Sequence, residues 1–61
     1  MKAQVGMKIK FNNNVLGEYV TVGREYTITR IQGNTVWVQS SVGQTYVNWR
    51  LAIKYNAVEL N

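Results

Sequence analysis

The residue types that carry most protein chemistry are missing from this chain. Its 61 residues contain no His, Cys or Asp, so neither a Ser-His-Asp nor a Cys-His arrangement can be assembled from one copy. The acidic residues are Glu18, Glu25 and Glu59, which read as lying in a loop, at a strand start and at the C-terminal edge. No two of them have a spacing that suggests shared acid–base work. The usual zinc ligands are absent, and metal-assisted hydrolysis has no plausible donor set. The expectation is a chain that is not an enzyme, with no catalytic residue, no cofactor and no metal. Only an active site pooled across an oligomer from tyrosines, lysines and backbone groups would escape that conclusion.

Contact chemistry is better represented. Arg30, Trp37 and Tyr46 lie in three successive segments with strand character, residues 25–31, 35–40 and 45–48. These are punctuated by Gly33-Asn34 and by Ser41-Val42-Gly43, which makes them a three-stranded meander. A two-residue hairpin turn at Gly33-Asn34 places Ile31 opposite Val36 and Arg30 opposite Trp37. A four-residue loop at 40–43 then places Val47 opposite Val36 in the core and Tyr46 beside Trp37 outside. A three-residue loop would turn Tyr46 inward instead. Trp37 shares the outer parity of its strand with Thr35 and Gln39, but the loop of residues 12–22 could cover it.

The elements that must hold these residues follow from periodicity. Met7, Ile9 and Phe11 alternate with Lys8 and Lys10, giving a first strand with one buried and one wet face. Asn12-Asn13-Asn14 opens a long loop whose Val15, Leu16, Tyr19, Val20 and Val22 are apolar enough to fold back over the barrel. In the strand 25–31, Ile28 and Ile31 are three apart and cannot both face inward from a regular strand, so a bulge or bend is expected near Thr29-Arg30. After Val47 the alternation fails, and a short 3₁₀ turn through 48–51 is the simplest connection. Residues 52–60 then read as a final strand whose phase slips near Asn56-Ala57. Tyr26 and Tyr55 are expected to pack their rings and leave their hydroxyls at the rim, Trp49 to be buried and Arg50 exposed. The fold class is all-β: a single domain, residues 1–61, forming a small, five-stranded, strongly bent barrel with a long loop after the first strand.

Composition sets the limits. A domain this small buries only roughly 60% of the surface its unfolded chain exposes, and no disulfide supports it. No apolar run approaches the ~20 residues of a membrane span, and charges interrupt the N-terminal segment where a signal peptide needs an apolar core. A cytoplasmic protein with no membrane partner is expected. The net charge of +4 favours an anionic partner surface without supplying a dense phosphate track.

The string Val22-Gly23-Arg24-Glu25-Tyr26-Thr27-Ile28, followed by Thr35-Val36-Trp37-Val38, Gly43-Gln44-Thr45-Tyr46 and Leu51, resembles small SH3-like barrel proteins encoded among phage accessory genes. The likeness covers roughly residues 20–55 and rests on the Gly-basic-x-Tyr and Gly-x-x-Tyr strand starts and on the valine-rich strand between them. The acidic turn usual in that group is absent. Trp49, Arg50 and Leu51 stand where many relatives carry a proline and a Phe. The resemblance implies a noncatalytic module that binds and occludes a host component, in the cytoplasm of the host cell if phage-encoded. It supplies no active-site residue.

The expected partner is a macromolecule, a protein in preference to a nucleic acid, met by Arg30, Trp37 and Tyr46 with Arg24, Arg50 and Lys54. Trp, Tyr and Arg are the types enriched at interface hot spots. In the alternative, Trp37 or Tyr46 stacks on bases while the four cations meet phosphates. Self-association into a homo-oligomer is a further use of the same surface.

Overall fold

The computed structural model describes residues 3–12 and 20–60. Most of the long loop expected after the first strand, including Val15, Leu16 and Tyr19, lies outside the described residues. The strands are β1 (Lys8–Phe11), β2 (Glu25–Gln32), β3 (Thr35–Ser40), β4 (Gly43–Asn48) and β5 (Val58–Leu60), with one helix, α1 (Trp49–Lys54), between β4 and β5. All the strand pairs are antiparallel, in the order β4-β3-β2-β1-β5. The sheet curls into a half-barrel, the small, strongly bent all-β fold expected from the sequence.

The inner face follows the period of two. Ile9 and Phe11 of β1, Tyr26 and Ile28 of β2, Val36 and Val38 of β3, and Val47 of β4 are buried, and Val20, Trp49, Ala52 and Val58 join them in one cluster. Burying an Ile or Val side chain stabilises by about 2 kcal/mol, so these positions carry the fold. The Tyr26 ring meets Phe11 edge-on, with centroids 5.3 Å apart, and its hydroxyl accepts from the Thr21 amide at 2.9 Å. Tyr26 thus packs its ring as expected.

Both hairpin registers match the expectation. Gly33 takes φ +59°, the first central position of a II′-type turn, and β2 pairs with β3 as Ile31↔Val36 and Arg30↔Trp37. β3 pairs with β4 as Val36↔Val47 and Trp37↔Tyr46. The pairing continues to Ser40↔Gly43, so the connection narrows from the four residues of the sequence reading to Ser41-Val42, in the same register. The expected bulge is also present: the β2–β3 register shifts between Ile28 and Arg30, leaving Thr29 as the extra residue. Ile31 lies opposite buried Val36 but is 38% exposed. β1 pairs with β2 only at Glu25, Tyr26 and Thr27, so the far half of β2 extends past it.

The chain departs from the sequence reading after Asn48. Instead of a 3₁₀ turn and a long final strand there is a six-residue α-helix, and β5 is confined to Val58–Leu60. The helix is capped at both ends. The Asn48 side chain accepts from the Leu51 amide, which satisfies one N-terminal donor. At the other end Asn56 adopts φ +51°, its amide donates to Ile53 O at 3.1 Å, and the Ala57 amide donates to Ala52 O at 2.8 Å. That pair of bonds is a Schellman motif with Asn in the left-handed position, and buried Ala52 and Ala57 sit at its apolar contact. The phase slip at Asn56-Ala57 is therefore a helix end. Tyr55, expected to be packed, is 49% exposed, because the helix turns it away from the face that buries Trp49 and Ala52. Trp49 is buried as expected, and among the described residues its indole N–H has no hydrogen-bond partner.

Replacing Asn56 separates the helix end from a generic turn. Asn56→Ala forces a Cβ-bearing residue without a local polar side chain into the left-handed region and is expected to cost about 1 kcal/mol in urea unfolding. Asn56→Gly is expected to be neutral or mildly stabilising. Equal loss in both variants would contradict the Schellman assignment.

Candidate binding surface

The outer face of β2, β3 and β4 is built in rows by the two registers. Arg30, Trp37 and Tyr46 form one row, because Arg30 pairs with Trp37 and Trp37 with Tyr46. The Arg30 guanidinium carbon lies 4.5 Å from the centroid of the Trp37 ring. The Trp37 and Tyr46 ring centroids are 6.4 Å apart at a 45° tilt. A cation over an indole face contributes roughly 0.5–1 kcal/mol at an exposed site. The same guanidinium donates to Gln32 Oε1 at 3.0 Å, two residues along the strand on the same face. These two contacts favour one orientation of Arg30 before any partner arrives, which lowers the entropy cost of using it.

The three side chains are accessible to different degrees. Trp37 is half-buried, Arg30 is exposed and Tyr46 is 59% exposed. The indole is flanked by its row neighbours and remains at the surface.

Thr29 belongs to this surface, which the sequence reading did not foresee. Its hydroxyl donates to Trp37 O at 3.4 Å and accepts from the Gln44 side-chain amide at 3.3 Å, linking β2 to β4 across β3. The bulged residue and its successor therefore both face outward, and the Ile28–Ile31 spacing was the signal that could have led to Thr29. From there a cleft of about 530 Å³ runs toward the start of β2, bordered by Thr27, Thr29, Gln39 and Ser40, with Arg24 at its rim.

Arg24, Arg50 and Lys54, the other cations expected at the surface, do not join the row. Arg24 precedes β2, six residues before Arg30 and roughly 20 Å away along an extended chain. Arg50 and Lys54 are exposed one turn apart on α1, where the Lys54 ammonium sits 5.6 Å from the Tyr55 ring centroid. Lys10 lies opposite Glu25 on one side and Glu59 on the other, so its positive charge is more than offset within that row.

The row geometry has a measurable consequence. A double-mutant cycle of Arg30→Ala and Trp37→Ala in urea unfolding is expected to return a coupling of roughly 0.5–1 kcal/mol. A coupling indistinguishable from zero would contradict the stacked geometry. In comparisons with known proteins, no family model, curated protein or solved structure matches this chain.

Proposed function

We propose that this chain is a small noncatalytic binding module that docks on another protein through the Arg30–Trp37–Tyr46 row. The observation that carries the reading is the stacked, side-chain-braced guanidinium over an indole, with an exposed tyrosine beside it. Large rings with few rotatable bonds and an oriented Arg are the combination that dominates the energetics of protein interfaces. The likeness to phage accessory SH3-like proteins supports a further step, in which the partner is a host or defence protein that the module occludes or modulates in the host cytoplasm.

The distribution of charge favours a protein over a nucleic acid. A phosphate backbone is met by a row of cations, because each contact releases counterions. Among the described residues Arg24, Arg30 and the Arg50–Lys54 pair occupy three separate places, Lys8 stands opposite Thr27, and Lys10 stands between two glutamates. Tyr46 and Trp37 could still stack on bases, and this second reading predicts binding that weakens steeply with salt.

Affinity capture from the native host with the wild type and with the Trp37→Ala, Arg30→Ala double variant tests the proposal. The expected result is a specific protein whose binding weakens by more than about 2 kcal/mol, roughly 30-fold, in the variant. Undiminished binding by a folded variant would refute the surface. Titration with single- and double-stranded oligonucleotides at low salt is expected to show no binding, and salt-sensitive binding there would transfer the function to nucleic acid.

A further inference from the structure

Arg24 sits apart from the aromatic row in a setting of its own. The turn that delivers it runs from Thr21 to Arg24, with Gly23 at φ +84° and the Arg24 amide donating to Thr21 O at 3.3 Å. Its side chain is half-buried and borders two clefts, the outer one of about 530 Å³ and a second of about 190 Å³. Ser40 borders both clefts as well. Hydroxyls dominate the surroundings: Thr27, Thr29 and Ser41 on the outer side, Thr21 and Thr45 on the other.

Among the described residues, no carboxylate or other acceptor pairs with the Arg24 guanidinium. Glu25 also borders the larger cleft, in register with Lys10 of β1. The Ser40 hydroxyl accepts from the Val42 amide at 3.3 Å and donates to Gly43 O at 3.4 Å, which ties the cleft wall to the β3–β4 turn. A partly desolvated guanidinium with no counterion among the described residues, flanked by the hydroxyls of Thr27 and Ser41, has the chemistry of an oxyanion site. The planar fork can meet two oxygens at once, and charge-assisted bonds are stronger where water is partly excluded.

We propose that the Arg24 cleft receives an oxyanion, a carboxylate or a phosphate monoester, carried by a side chain of the partner protein. The Arg24 fork supplies the charge, and Ser41 and Thr27 supply further donors. Only the source of the oxyanion rests on the protein-binding reading above. The cleft and the aromatic row would then engage two separate parts of one partner, an acidic or phosphorylated residue and an apolar anchor.

Two-dimensional amide NMR with inorganic phosphate and with acetate, against chloride at matched ionic strength, tests the site and separates the two sources. Saturable shifts at the Thr27, Ser40 and Ser41 amides are expected with at least one of the two, at a dissociation constant on the order of 1 mM. Arg24→Gln is expected to weaken them at least about tenfold, and Arg24→Lys, which keeps the charge without the fork, about threefold. The Trp37→Ala, Arg30→Ala variant is expected to leave them unchanged, so loss of the aromatic surface and loss of the cleft remain distinguishable. Shifts that never saturate, or that persist at full strength in both Arg24 variants, would overturn the proposal. A single-stranded oligonucleotide saturating the same amides far below the phosphate concentration would overturn its assignment to a protein side chain.

Discussion

One extra residue in β2 decides which way Arg30 points. In a regular strand Tyr26 and Ile28 face the core, Thr27 and Thr29 face out, and Arg30 would turn inward against Val36 and Val38. Burying an unpaired guanidinium there would cost several kcal/mol. The bulge at Thr29 absorbs the conflict: Thr29 and Arg30 both face outward, and the register resumes as Arg30↔Trp37. The hydroxyl bonds from Thr29 to Trp37 O and from Gln44 to Thr29 keep the irregular residue engaged. Bulges also strengthen strand twist, which suits a sheet that must curl into a half-barrel.

The outer surface then follows from pairing alone. Two tight turns, Gly33-Asn34 and Ser41-Val42, fix three strands in one register, and the buried valines lock it, because a slip of one residue would expose Val36, Val38 and Val47 together. Arg30, Trp37 and Tyr46 are therefore positioned by the same interactions that stabilise the core. The aromatic row sits on strands with short loops, a rigid platform for contact residues.

The meander was legible in the sequence because its signals are local. Gly33-Asn34 marks a turn, Val36 and Val38 alternate with Trp37, and the Ile28–Ile31 spacing exposes the bulge. The segment after Asn48 was harder to read. A helix of six residues offers barely one repeat of the 3.6 period, and Trp49, Ala52 and Ile53 resemble a broken strand unless the Asn48 and Asn56 caps are read together. Exposed Tyr55 was misread for the same reason, since its strand parity does not survive in a helix. The Arg24 cleft was not legible at all. It depends on a turn before β2 and another after β3 meeting in space, which no local pattern records.

The orientation of Arg30 over Trp37 can be tested most directly by proton NMR of the wild-type chain. Ring current from an indole 4.5 Å from the guanidinium carbon predicts upfield-shifted Arg30 side-chain protons and cross-relaxation between them and the Trp37 ring. Arg30 protons at random-coil positions, with no cross-relaxation to Trp37, would contradict the bulge-directed surface on which this account rests.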